Sequence, residues 1–123
     1  MMGVRPLWLA ALALFFVAMV AGGALPGQAD LLSARYGDKL LHVLAYAFMT
    51  LLGYAAVVAP PLHRAAATVG GIALLGLADE SIQSLLPYRN ASAADWCFDV
   101  GTAALVTLLL TRARLTPDPD THA

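Results

Sequence analysis

Residues 65–87, AAATVGGIALLGLADESIQSLLP, decide how this chain is built. The unbroken apolar part, Ala65 to Ala78, is about 14 residues, roughly 21 Å of helix at 1.5 Å per residue. A hydrocarbon layer of about 30 Å is wider than that. A helix crossing here has to run on through Asp79, Glu80, Ser81 and Gln83 to about Leu86, because a helix that ended in lipid would strand its backbone polar groups. Carboxylates are thereby carried inside the membrane boundary. There they turn toward a bundle interior or a water-filled pocket, since an ionisable side chain at a helix centre costs about 2.5 to 3.5 kcal/mol on insertion scales.

Working outward, three more segments of similar length appear, and the expected fold is an all-α integral membrane bundle of four transmembrane helices at about 7–25, 38–59, 65–86 and 95–111. The first follows Arg5 and Pro6 and ends at Pro26 and Gly27, both helix breakers. The second stops at Pro60 and Pro61, with His63 and Arg64 in a short linker. The fourth has to include Asp99 to reach across. Residues 1–123 read as one domain with a short disordered tail, 112–123, that is rich in proline and aspartate. Composition agrees: 60% of the 123 residues are hydrophobic and 12% charged, where soluble domains carry about 25% charged residues. The net charge of -1 and the scattering of the seven Lys and Arg residues exclude a nucleic-acid footprint. Cys97 is the single cysteine, so no intrachain disulfide and no Cys/His zinc spacing is available.

Four alternating crossings put Arg5, Arg64, Arg112 and Arg114 on one side and Arg35, Lys39 and Arg89 on the other. Both termini are expected in the cytoplasm of a bacterial inner membrane, the opposing charges lying in or beside a polar cluster. A competing reading makes the first segment a cleaved signal peptide, with small residues from Ala24 to Ala29 as the cleavage region.

The same alternation brings the start of the second helix, the end of the third and the start of the fourth to one face. Asp38, His42 and Tyr46 recur every four residues, one stripe on one helix face, with Lys39 beside them. Gln83 lies three residues from Glu80 and four from Asp79, within reach of either. Asp95 and Asp99 share a face of the fourth helix. The loop from Pro87 to Ala94 carries Arg89 and can fold over the cluster. These ten residues, Asp38, Lys39, His42, Tyr46, Asp79, Glu80, Gln83, Arg89, Asp95 and Asp99, are the candidate polar pocket. Plainer roles stand beside this one: Asp38 and Asp95 as helix N-caps, His42 bonded to a helix carbonyl, and Arg89 as an interfacial anchor. Trp96 belongs more naturally to an aromatic belt, Cys97 to packing, and the pairs Ala66/Gly70 and Ala67/Gly71 to close helix approach.

Taken in order, Asp38-Lys39-x-x-His42-x-x-x-Tyr46, Asp79-Glu80-x-x-Gln83, Pro87-x-Arg89-x-x-Ser92-x-x-Asp95 and Gly101 resemble the VanZ-like family pattern. The resemblance covers most of the chain from Asp38 to Gly101. It implies a small multi-helix membrane protein of the cell envelope, in a family whose founding member is associated with lowered susceptibility to teicoplanin, a glycopeptide that targets cell-wall precursors. One position departs: the family usually has Asn where this chain has Asp99, which adds negative charge to the cluster.

Three functions fit these residues. The first is a binding module for a polar lipid or a cell-wall lipid precursor, or a glycopeptide-related ligand, at the outer leaflet. Arg89 and Lys39 would hold phosphate, and Glu80, Gln83 and Asp95 would hold amide or hydroxyl groups. The second is a membrane-embedded enzyme using His42 with Glu80 as acid and base, or a divalent cation held by His42 and carboxylates. It lacks a GxSxG elbow, an HExxH pair and a glycine-rich phosphate loop. The third is a transport or channel protein with buried carboxylates as a relay, in a homo-oligomer. No cofactor or metal is specified by any motif.

Overall fold

The computed structural model describes residues 2–24, 38–85 and 93–115. Among them are four helices: α1 (Pro6–Ala24), α2 (Asp38–Ala56), α3 (Pro61–Ser84) and α4 (Ala93–Leu115). Two are long and apolar enough to cross a membrane, over Pro61–Ser84 and Ala93–Ala113, while Pro6–Gly22 and Leu40–Ala56 are shorter apolar stretches. A two-residue antiparallel ribbon, β1 (Gly3–Val4) with β2 (Val57–Val58), joins the start of α1 to the end of α2.

The decisive segment behaves as its length argument requires, because α3 continues without a break through Asp79, Glu80 and Gln83 to Ser84. Its start differs from expectation. The helix begins at Pro61, not at residue 65, so His63 and Arg64 are helical and form no linker. Proline at the first helical position has its φ already set and lacks only an N–H that would have no partner there, so Pro61 starts the helix as readily as it ends the one before. α2 stops at Ala56, three residues earlier than expected, because Val57 and Val58 pair with Val4 and Gly3. The Arg5 N–H donates to Ala56 O at 2.7 Å and Arg5 Nη1 donates to Ala55 O at 3.1 Å. The Ala56 carbonyl at the helix end is thus satisfied by a backbone amide and the Ala55 carbonyl by a cation, which the helix dipole favours. α4 runs two residues earlier and four later than 95–111, so Arg112 is helical and not part of a tail. Residues 116–123 of the expected tail lie outside the described residues.

Helices α2, α3 and α4 pack against one another, α3 most extensively on α4, while α1 lies mainly along α2. Leu12, Tyr46, Met49, Leu52, Ile72 and Ala103 form the apolar centre, with Phe15 and Phe16 of α1 against it. Phe15 and Phe48 meet edge to face with centroids 4.8 Å apart. Gly76 allows the three-helix approach, since a Cβ there would stand 3.3 Å from Trp96 Cδ1 and 3.5 Å from Tyr46 Cε1. The small pairs expected to do this do not: Gly70 and Gly71 are exposed, and nothing among the described residues lies within 4 Å of a Cβ at either.

The surface is inverted relative to that of a water-soluble domain. Leu7 is 85% exposed, Leu85 82% and Leu62 76%, whereas Arg64, Asp79, Glu80, Gln83 and Asp99 are buried. Charged residues are almost never fully buried in soluble proteins unless paired, and apolar patches beyond a few hundred Å² mark contact with something other than water.

Candidate polar site between three helices

The site grows from one face of α2. His42 and Tyr46 are one helical turn apart and their rings stack, parallel within 1° at 6.1 Å between centroids. Each reaches a different helix. His42 Nδ1 stands 3.0 Å from Asp99 Oδ1 on α4, and with the carboxylate as acceptor the imidazole N–H is the donor. Tyr46 donates its hydroxyl to Asp79 Oδ2 on α3 at 3.0 Å, and Gln83 Nε2 donates to the other oxygen, Asp79 Oδ1, also at 3.0 Å. Both oxygens of Asp79 therefore carry a bond. Glu80, the next residue, is 7% exposed and buried in the same region.

Of the ten candidate residues, His42, Tyr46, Asp79, Gln83 and Asp99 are brought into these contacts. Gln83 serves Asp79, and the position where the family resemblance expects Asn, Asp99, supplies the partner of His42. Asp95 lies in the first turn of α4 and is partly exposed, where its charge complements the helix N-terminus. Asp38 and Lys39 open α2 at the same end of the bundle. Arg89 lies outside the described residues, as does the rest of its loop through Ser92. Among the described residues no group of three or more His, Cys, Asp or Glu side chains is disposed to hold a metal ion.

Trp96 is half-buried and makes a bond between helices that its sequence position did not specify. Its indole Nε1–H donates to Ala73 O at 3.0 Å, across to α3 and beside Gly76. Cys97 departs from expectation: it is exposed on the outer surface of α4 rather than packed inside.

What the sequence reading missed is that the polar face does not end at Tyr46. On α2 the stripe goes on every four residues to Thr50 and Tyr54, both buried. On α4 it is Asp99, Ala103, Thr107 and Thr111, again every four residues and all buried. On α3 the far end contributes Arg64 and Thr68. Tyr54 and Thr111 hydroxyls are 3.4 Å apart, Arg64 Nε donates to Tyr54 O at 2.8 Å, and the guanidinium lies 4.0 Å over the Tyr54 ring, a cation–π contact. Thr50 donates to Tyr46 O at 2.6 Å and Thr68 to Arg64 O at 2.8 Å, satisfying their hydroxyls within their own helices. The signal was in the sequence: threonines and a tyrosine at the spacing of the charged stripe.

Two buried oxygens on α4, Asp99 Oδ2 and Thr107 Oγ1, have no hydrogen-bond partner among the described residues. No family model, curated protein or solved structure matches this chain.

Proposed function

We propose that this is an integral membrane protein of the bacterial envelope, of VanZ-like type, whose four helices all cross the inner membrane and whose termini are both cytoplasmic. The polar site then opens at the extracytoplasmic face and engages the polar headgroup of a lipid or lipid-linked cell-wall precursor, lowering susceptibility to glycopeptides such as teicoplanin. The observation that carries this reading is the inversion of the bundle, with leucines outside and a bonded His42–Asp99 and Tyr46–Asp79–Gln83 network inside. Lipid accounts for the apolar exterior. The carboxylates held together at one end account for the polar ligand, because groups so costly to bury in a membrane are retained at sites of function.

Length supports the four-crossing form of the proposal. α1 and α2 have 19 residues each, roughly 28 Å of helix, close to a hydrocarbon thickness of about 30 Å. Within the pocket, Lys39 and Arg89 hold phosphate, and Glu80, Gln83 and Asp95 hold amide or hydroxyl groups of the headgroup.

The test is tolerance. Expressed in a susceptible bacterial host, the wild-type chain raises the teicoplanin concentration needed to stop growth. Glu80→Gln and Arg89→Ala, present in the membrane at equal abundance, return it to the level of the host alone. Tolerance that both variants retain in full removes the headgroup reading.

A further inference from the structure

We propose that the interior of this single bundle conducts protons from one end to the other, a function separate from binding a headgroup though resting on the same four-crossing placement in the membrane. The inward stripes of α2 and α4 face each other along most of the bundle, from His42 and Asp99 at one end to Tyr54 and Thr111 at the other. Thr50 bonds its hydroxyl to its own helix, but Thr107, Thr111 and Tyr54 hold theirs in the interior between the helices.

The two unpartnered oxygens say more than the stripe does. Asp99 Oδ2 and Thr107 Oγ1 are eight residues apart on the same face of α4, roughly 12 Å, one on each side of Ala103. Buried polar atoms in folded proteins almost always find a partner, and where protein supplies none an ordered water does. Between them stands Ala103, completely buried in the apolar centre and carrying only a methyl group. In the proposed route, waters bonded to these two oxygens bridge the roughly 12 Å between them and link the carboxylate to the Thr107 hydroxyl.

Protons move along such a chain without any other bond being made. Asp99 receives a proton on the His42 side and releases one to the water beside Oδ2. Each water and hydroxyl then accepts one proton and gives up another, through Thr107 to the Thr111 and Tyr54 pair. One proton enters for each that leaves. Among the described residues, the other titratable or charged groups near this route are Tyr46 on α2, Asp79, Glu80 and Arg64 on α3, and Asp95 at the head of α4. Asp79 is bonded at both oxygens and holds Tyr46 in place. Arg64, at the far end, is turned onto the Tyr54 ring and carbonyl.

The experiment is proton flux into liposomes that hold the full chain and a pH-sensitive dye, driven by a potassium diffusion potential. Wild-type vesicles acidify faster than protein-free ones. Asp99→Asn and Thr107→Val slow the flux by about a hundredfold, the usual scale of losing a positioned proton-transfer group. Thr107→Ser, which keeps the hydroxyl, and Ser81→Ala, on the exposed face of α3, conduct as the wild type does. Thermal unfolding of each variant in detergent separates lost flux from lost fold. Wild-type vesicles no leakier than empty ones, with the protein resisting alkaline extraction, overturn conduction and leave the membrane placement standing. A protein stripped off by alkali overturns both. Thr107→Val with wild-type flux overturns the route.

Discussion

Asp79 shows how a carboxylate is kept in a place that penalises it. One oxygen accepts from Tyr46 on α2, the other from Gln83 a turn along its own helix, so neither is left without a donor. Hydrogen bonds to charged groups contribute about 1.5 to 3 kcal/mol, and leaving such a group short of a partner costs as much or more. Tyr46→Phe, which removes only the hydroxyl, is therefore expected to lower unfolding stability in detergent by about 2 kcal/mol. A midpoint equal to that of the wild type would contradict the pairing. Trp96→Phe removes one neutral bond, to Ala73 O, and should cost about 1 kcal/mol from that bond, read in the same unfolding experiment. These partners were legible in type but not in pairing. Spacing placed Gln83 within reach of two carboxylates, and only the rotation of α3 relative to α2 chooses between them. Trp96 was harder still, because an aromatic residue near a membrane boundary fits a belt and an interhelical bond equally well until the helix rotation is known.

At the scale of elements, the helices were legible because long apolar runs bounded by proline and glycine leave the backbone few choices. The length argument on residues 65–87 required α3 to run on through its carboxylates, and the helix continues through Asp79 and Glu80 to Ser84 with both side chains buried in the bundle. Helix ends were less legible, since Pro61 reads as a stop when it follows a helix and as a start when it precedes one. Small residues misled for a related reason. Ala66, Ala67, Gly70 and Gly71 have the spacing of a packing face, yet that face is exposed and Gly76 is where α3 meets both neighbours. Composition alone does not say which small residue touches a partner. Gly76→Val is accordingly expected to destabilise the bundle by roughly 1 to 3 kcal/mol through overpacking against Trp96 and Tyr46. Gly71→Ala adds a methyl into open space and should stay within about 0.5 kcal/mol of the wild type. Thermal unfolding of the two variants side by side checks this, and equal losses would mean the close approach lies elsewhere.

For the whole molecule, the arrangement of charge and apolar surface is one physical statement made twice. In the membrane placement we propose, hydrocarbon does not solvate ions, so polar side chains from separate helices gather inside, and it solvates leucine well, so leucines remain outside. The near end of that interior was readable from His42 and Tyr46; the far end carried a signal too, Thr50, Tyr54, Thr107 and Thr111 at the same four-residue spacing, but these side chains bear no charge and blend into an apolar run. Arg64 shows the difference most clearly. In the sequence it is a charge in a linker, and in the fold it is a buried side chain bound to the carbonyl and ring of Tyr54. The most direct measurement of this convergence is a double-mutant cycle on His42 and Asp99, with unfolding free energies taken in lipid bicelles for His42→Ala, Asp99→Ala and the pair. A coupling of roughly 1 to 2 kcal/mol is predicted for a bonded pair held away from water. Losses that add to within about 0.3 kcal/mol would mean the two side chains do not meet.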